Sequence, residues 1–447
     1  MMTVAGDKID FASMKPSDTA VIIGGGVAGM TAALDLADQG FQVVLVEKTP
    51  SIGGVMAMLD KTFPTLDCSA CILTPKLSEV SRHPNIKLLT YSKVTGITGE
   101  SGDFRVKVYK KARRVLEDKC TGCGECVPHC PIQVKNEFDQ DLGYRKAIYI
   151  GFPQSTPLVY TIDDENCIKC ELCVKSCDRE AIDLTQEDEE IEIPAGAIVI
   201  ATGYELFDVS KYHRLGYGRY KNVINALEYE RLINAAGPTH GNLMRLSDGK
   251  IPKSIGFLQC IGARDVKEGV PYCSRVCCMY GAKNATMAKE LRHDDVKNVT
   301  VYYADIRACG KGFEEFYTMS KERFGIKYIR GRVGEVEEVK KNNNLIVWAE
   351  NTETGEFLKD EHELLVLCPG ILPPKDLKEL AASFGIEVSV DGFIPIKYPA
   401  SNPVDTTVPG VFVAGCAESA KDIPDSVAAG SAAAMRASIV LARGGGH

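Results

Sequence analysis

The sequence predicts an α/β chain built on two dinucleotide-binding domains and interrupted by a cysteine-dense insertion. Three observations carry this. Residues 19–48 run apolar strand, glycine turn, helical pattern and apolar strand. Two later apolar runs, ending at Gly203 and Gly370, have the unbroken hydrophobicity of parallel strands buried on both faces. Between the first stretch and these runs, residues 113–185 hold two four-cysteine runs of one spacing.

The first stretch reads TAVIIGGGVAGMTAALDLADQGFQVVLVEK from Thr19 to Lys48. The turn is Gly24-Gly25-Gly26-Val27-Ala28-Gly29. Gly24 permits the tight turn, Gly26 lets the backbone approach a pyrophosphate, and Gly29 lets the helix pack close to the strand. The helix N-terminus offers N–H groups and a partial positive charge to phosphates. Glu47 stands where a ribose would be held. A lone glycine pattern is weak, but with strand, helix and acid in register it reads as a dinucleotide site. Lys48, the turn Gly53-Gly54-Val55, Val94 and the strand end Ala201-Thr202-Gly203 are assigned to the same site.

The totals narrow the class. A chain of 447 residues implies two or three domains, and a net charge of -8 argues against nucleic acid as a main partner. No apolar run approaches the roughly 20 residues of a membrane-spanning helix. The polar start MMTVAGDKID is not that of a signal peptide. Seventeen cysteines in such a chain suggest metal sites in a reducing cytoplasm rather than disulfides.

In chain order, the expected layout is a first flavin-domain segment over 1–112, an inserted ferredoxin domain over 113–185, and a second flavin-domain segment with linker over 186–250. A second Rossmann-like domain follows over 251–370, and 371–447 returns to the flavin domain. Short strands are expected over 86–108, one buried strand over 191–204, and a helix over 274–291. A strand over 299–303, a hairpin over 331–351 and a small-residue helix near the C-terminus follow; the final Gly-Gly-Gly-His is expected to fray. This interrupted order resembles thioredoxin reductase-like flavoproteins, with 407–416 as the last flavin strand. That strand usually ends Gly-Asp; here it ends Gly415-Cys416, so a carboxylate contact is missing or replaced. Ile423 and Pro424 are assigned to the same site.

Cys120, Cys123, Cys126 and Cys130 form C-x2-C-x2-C-x3-C-P, and Cys167, Cys170, Cys173 and Cys177 repeat it with Asp178 in place of Pro131. In two-cluster ferredoxins the fourth cysteine of each run ligates the other cluster. The expected sets are therefore Cys120, Cys123, Cys126 with Cys177, and Cys167, Cys170, Cys173 with Cys130. Structural zinc uses paired knuckles rather than this spacing. The second domain opens SIGFLQCIGARD, with no glycine fingerprint, and Cys260 stands at the turn with Cys273, Cys277 and Cys278 following. Those four fit a third cluster or buried structural thiols, and spacing does not choose. Neighbours on a helix point roughly 100° apart, which makes Cys277 and Cys278 unusual ligands. Cys68 and Cys71 fit either a redox dithiol or packing thiols. Cys309 and Cys368 read as structural, and the histidines receive no assignment.

FPTLDCSACILTPK (63–76), the cysteine-dense insertion, Cys260-x12-Cys273-x3-Cys277-Cys278 and GCAESAKDIPDSVAAG (415–430) together resemble the A subunit of heterodisulfide reductase. The resemblance covers nearly the whole chain. It implies FAD, two ferredoxin-type [4Fe–4S] clusters and a third on the Cys-Cys motif. It also implies an oxidoreductase subunit that converts two-electron input to single-electron transfers, in several members by flavin-based bifurcation. The methanogen subunits carry further N- and C-terminal domains, so this chain is expected to be a short, bacterial-type form. Relatives include the A subunit of a quinone-interacting oxidoreductase and the electron-transfer subunit of a benzoyl-CoA-reducing complex. Expected partners are other iron–sulfur subunits and ferredoxin, with a homodimer inside a larger assembly that is cytoplasmic or peripheral to the inner membrane. Lys421 is the candidate cation beside the isoalloxazine, with a solvated lysine as the alternative. Asp305 is the expected relic of a lost ribose site. The competing reading is a self-sufficient NAD(P)H-dependent flavin and iron–sulfur oxidoreductase, which requires a second glycine fingerprint.

Overall fold

The computed structural model describes residues 11–291 and 295–444. The readings of the chain start and of the last three residues lie outside them. Two parallel five-stranded sheets organise the chain. The first runs, edge to edge, Val411–Val413, Ala197–Ile200, Thr19–Ile23, Gln42–Glu47 and Ile86–Thr90. These strands come from three separated parts of the sequence, as the interrupted apolar runs require. Both faces are covered. Ala20, Ile22, Val43 and Leu45 pack under the helices Val27–Asp38 and Ile423–Ala442. Val21, Ile23, Val44 and Val46 pack on a three-stranded antiparallel sheet that supplies Phe104, Val106, Val108 and Ile193. Burial on both faces is why these strands read as unbroken apolar runs.

The single strand expected over 191–204 is two. Glu189–Ala195 pairs antiparallel with Asp103–Lys110, and Ala197–Ile200 pairs parallel with Thr19–Ile23. The chain changes sheets at Gly196, whose N–H donates to the Thr19 carbonyl at 2.9 Å.

The second sheet runs Val223–Asn225, Leu364–Pro369, Ser254–Ile261, Asn298–Tyr303 and Lys327–Arg330. Its first strand lies inside the span 186–250 expected to belong to the flavin domain. Val223 pairs with Leu365, so the crossing to the second sheet comes before residue 251. The helix Ala226–Ile233 follows at once because Asn225 and Glu228 form a reciprocal capping box. The helix expected from 274 is Cys277–Leu291, and the expected hairpin is part of a sheet of Val333–Val339, Asn344–Asn351 and Glu356–His362.

The insertion is small and irregular, with short helices Cys126–His129 and Leu172–Lys175 around a core of cysteines and aliphatic side chains. It is tied to the second domain through Arg231, which is 2% exposed and donates from Nε to Asp139 Oδ1 at 3.0 Å. Among the described residues no helix is long and apolar enough to cross a membrane.

Candidate cofactor cavity and cysteine sites

The carboxyl ends of the first sheet's strands open into a cavity of about 520 Å³. Two helix N-termini face it. Val27–Asp38 begins there with Gly26 as a cap that supplies no side-chain bond. Ile423–Ala442 begins there with Asp422 capping the Asp425 N–H at 2.8 Å. Both present partial positive charge to the space between them.

The three glycines divide as their chemistry predicts. A Cβ on Gly24 would stand 2.2 Å from the Ala201 oxygen, and one on Gly29 would stand 1.9 Å from the Gly24 oxygen. Those two serve the protein's own packing. A Cβ on Gly26 would meet nothing within 4 Å and would point into the cavity. That absent side chain leaves room for something other than protein. Thr202, also on the wall, has a buried hydroxyl with no partner. The residues fit a dinucleotide.

Glu47 is buried and fixed on both oxygens. Oε2 accepts the Gly25 N–H at 2.7 Å, and Oε1 accepts the Thr49 N–H at 2.8 Å. Gly24, Gly26, Val27, Ala28, Glu47, Lys48, Gly54, Val55 and Val94 all line the cavity. Ala201, Thr202 and Gly203 join them, as do Gly415, Cys416, Lys421, Ile423 and Pro424. Gly25, Gly29 and Gly53 stand behind the wall. Lys421 is not a free cation: its ammonium is bonded to Glu418 and to Ser419 Oγ, the latter at 2.6 Å.

The sequence reading missed the part of the wall that comes from elsewhere in the fold. Lys283, 1% exposed, reaches in from the helix Cys277–Leu291 and is hydrogen-bonded to Glu230 of Ala226–Ile233. Tyr280 from the same helix and Phe138, Tyr149 and Phe152 from the insertion complete the wall. Phe138 and Phe152 stack at 5.1 Å. No local pattern marks these residues, because tertiary packing alone brings them to the cavity.

Of the ferredoxin-type cysteines, Cys126 and Cys173 are buried and the rest lie at intermediate or exposed positions. Burial, then the neighbouring Cys120, Cys173 and Cys123, pushes the Cys126 thiol up to about 12. The Cys173 thiol is likewise pushed up by burial, with Cys167 and Cys130 among its neighbours. Cys130, Cys167, Cys170 and Cys173 share the wall of one small cavity. That grouping is the crossed set expected for one of the two clusters. Amides of Lys169 and Ala181 donate to Cys167 and Cys177 sulfur, each at 3.4 Å. Among the described residues, no three His, Cys, Asp or Glu side chains converge tightly enough for a single metal ion. A cube takes one thiolate at each of four separate irons, so its ligands stand farther apart than those of one ion.

Cys260 is the next-to-last residue of its strand, at φ +59°, and Cys277 and Cys278 open the facing helix. The Cys277 thiol bonds to Cys260 and holds its pKa down, with Arg332 and Arg264 adding to the effect against burial. Cys278 Sγ lies 3.4 Å from the Asp305 carbonyl, and the Arg275 amide donates to Cys273 at 3.4 Å. Cys273 and Cys260 both act on Arg264. Cys260, Cys277 and Cys278 thus meet at the strand end where a nucleotide domain carries its glycine turn, with Cys273 acting on the same arginine, Arg264. Buried Cys368 adjoins them; burial first, then Cys278 and Cys260, raises its thiol. The Asp305 carboxylate is taken by Arg264 at 2.7 Å and Arg330 at 3.1 Å. Cys68 caps the helix Ser69–Arg82, accepting the Cys71 N–H at 3.3 Å, and neither cysteine lines the cavity.

Residues 22–83 match the family model of an NAD(P)-binding Rossmann-like domain, and 119–182 match that of a 4Fe-4S dicluster domain. The fold is similar to a thioredoxin reductase of T. acidophilum, with TM-score 0.53 and 17% identity, covering 94% of this chain and 98% of that one. A curated relative from Methanothermobacter marburgensis, the A subunit of its H(2):CoB-CoM heterodisulfide,ferredoxin reductase, is 50% identical over 98% of this chain and 66% of its own length. The iron-sulfur A subunit of the CoB--CoM heterodisulfide reductase of Methanocaldococcus jannaschii is 51% identical over 95% of this chain and 64% of its own. The chain therefore spans about two thirds of the length of these relatives. With a dinucleotide fingerprint, a dicluster insertion and half of its residues shared along almost its whole length, the chain belongs to the family of heterodisulfide reductase A subunits.

Proposed function

We propose that this chain is an FAD and iron–sulfur electron-transfer subunit, an oxidoreductase that works inside a heterodisulfide reductase-like complex. One observation carries the reading: a single cavity wall is shared by the flavin fingerprint, the helix that starts at Cys277-Cys278, and the cysteine-dense insertion. FAD, when bound, accepts an electron pair and passes electrons on singly. The chain's residues do the rest. Gly26 and the two helix ends receive the pyrophosphate, and Glu47 holds the ribose. Lys283, hydrogen-bonded to Glu230, would offer a buried cation to the bound flavin. Phe138 and Phe152 cover the cavity from the insertion and exclude water.

Three clusters belong to the proposal: Cys120, Cys123, Cys126 with Cys177; Cys167, Cys170, Cys173 with Cys130; and Cys260, Cys273, Cys277 with Cys278. The pairing of Cys130 with the second run is supported by their shared cavity. The third set is supported by the convergence of Cys260, Cys277 and Cys278 at a strand end whose ribose acid, Asp305, is held by two arginines. That arrangement also argues against the NAD(P)H-fed alternative. Partner subunits with iron–sulfur centres, ferredoxin as a carrier, a homodimer within the assembly and a cytoplasmic setting are part of the reading. Bifurcation of the pair between two acceptors rests on the family resemblance.

The test is anaerobic analysis of FAD, iron and sulfide per chain, followed by NADH or NADPH with the flavin band under observation. One FAD, about twelve irons and no bleaching are expected. Direct bleaching by either nucleotide would move the self-sufficient reading ahead.

A further inference from the structure

We propose that Cys68 and Cys71 form a thiol–disulfide exchange site, a dithiol that small-molecule disulfides in solution oxidise reversibly to an intramolecular disulfide. Neither cysteine is on the wall of the flavin cavity, so the site exchanges with solvent and stands whatever the cavity holds.

Its basis is the way the pair is built into the start of the helix Ser69–Arg82. Cys68 caps that 14-residue helix, and its sulfur accepts the Cys71 N–H at 3.3 Å. Serine, threonine, aspartate and asparagine are the favoured caps, so sulfur at this position needs another reason. Core packing does not supply one. The helix buries Ser69, Leu73, Leu77 and Val80, while Cys71 is exposed and Cys68 only half-buried. Ser69 anchors the turn instead, donating its N–H to the Asp60 carbonyl at 3.0 Å and its hydroxyl to the Met56 carbonyl at 2.7 Å. An antiparallel bridge between Lys61 and Cys68 completes the frame. The two thiols thus sit on a fixed backbone at the surface. Ile72, next in the chain and 42% exposed, offers an apolar contact to an incoming reagent.

Residues three apart on a helix have Cα atoms about 5 Å apart, within the roughly 4.4–6.8 Å that a disulfide spans. The Cys71 thiol is held above its ordinary pKa, first by its hydrogen bond to Cys68. Cys68 therefore accepts from both the N–H and the thiol of Cys71, and it faces the positive end of the helix. That makes it the attacking sulfur, while Cys71 keeps its proton for the second step. The exchange balances. The Cys68 thiolate attacks one sulfur of a disulfide R–S–S–R, whose bond breaks and releases RS⁻, leaving Cys68 joined to the other RS group. Cys71 then loses its proton and attacks the Cys68 sulfur, the second RS⁻ leaves, and the Cys68–Cys71 bond forms. Two protein thiols are oxidised by two electrons, and one disulfide is reduced to two thiols that take up the two protons. Excess thiol drives the reverse.

The experiment equilibrates the intact holoprotein, without oxygen, in mixtures of reduced and oxidised glutathione, then blocks free thiols with N-ethylmaleimide. Trypsin cuts after Lys61 and Lys76, giving one peptide, 62–76, that holds these two cysteines and no other. That peptide is expected to pass from doubly alkylated to internally disulfide-bonded in one step, and to return with excess glutathione. Its reduced-to-oxidised ratio should change about tenfold for each tenfold in the ratio of squared reduced to oxidised glutathione. Cys71→Ser is expected to stop at Cys68 joined to glutathione. Cys68→Ser is expected to leave Cys71 reacting no faster than the exposed Cys309. A wild-type peptide that stays doubly alkylated, or carries glutathione on each cysteine with no internal bond, overturns the proposal. So does equal glutathione uptake by Cys68, Cys71 and Cys309 in the single variants, the mark of thiols that are merely exposed. The wild-type result alone decides if either variant fails to fold.

Discussion

The Lys283 ammonium is hydrogen-bonded to the Glu230 carboxylate across a sequence separation of 53, and both side chains are almost wholly buried on the cavity wall. A buried pair of this kind adds little net stability, because desolvating two charges offsets most of their attraction. Breaking it from one side is another matter. Lys283→Met leaves the Glu230 charge buried and uncompensated, at a cost of about 3–5 kcal/mol. Denaturant unfolding should show that loss, and Lys283→Met with Glu230→Gln should recover most of it. The flavin midpoint should fall in Lys283→Met, since the cavity then keeps the Glu230 charge without its cation. Lys421→Met should move the midpoint less, because that ammonium is already engaged by Glu418 and Ser419.

Gly26 offers the cleanest test of the cofactor site. A Cβ there touches no protein atom within 4 Å, so Gly26→Val should fold with the secondary structure of the wild type. The added side chain projects where the pyrophosphate is expected, and FAD per chain should drop to near zero. A folded, fully flavinated variant refutes the placement. Gly29→Val makes a useful contrast: its Cβ would stand 1.9 Å from a backbone oxygen, so it should impair folding itself.

What the sequence disclosed and what it hid follow one physical division. Gly24, Gly26, Gly29 and Glu47 were legible because their chemistry is local: a turn, an approach and an acid lie within one strand–helix–strand unit. The two cysteine runs were legible for the same reason, their spacing being set by how a short loop wraps one cube. Lys283, Glu230 and Phe138 were not, since each reaches the cavity from an element whose own pattern only says amphipathic helix or loop. Gly196 hid the break between two strands because apolar residues on both sides continue without interruption. The strand Val223–Asn225 is too short to read as a strand, and only its pairing with Leu364–Pro369 assigns it to the second sheet.

The third cluster can be removed without touching the other two. Cys277→Ser should lower the iron from about twelve to about eight per chain, while FAD stays bound, because Cys277 does not line the cavity. Unchanged iron would leave the four cysteines as structural thiols. The crossed ligation of the insertion is tested beside it. Cys130→Ala should perturb the spectrum of the cluster held by Cys167, Cys170 and Cys173, with which it shares a cavity. The cluster of its own run should be spared.

Arg231 holds the insertion against the flavin cavity. It donates to Asp139 from Nε at 3.0 Å and to the Met58 carbonyl from Nη1 at 3.1 Å. Its guanidinium also lies 4.8 Å from the Phe138 ring centre. One side chain thus joins the second domain, the flavin-domain loop and the insertion's cavity-lining turn. Lysine cannot substitute for it, because a single ammonium does not reproduce the fork of donors or stack on the ring. Arg231→Ala removes the partner of a buried carboxylate, and the cost of about 3–5 kcal/mol should fall on the docking of the insertion rather than on either parallel sheet. Hydrogen exchange should therefore rise around 136–152 while the strands Thr19–Ile23 and Ser254–Ile261 keep their protection. FAD should dissociate faster in the same variant, since Phe138 and Phe152 no longer stay closed over the cavity. Uniform loss of protection across the whole chain would show instead that Arg231 supports the fold globally and that the insertion does not act as a separate cover.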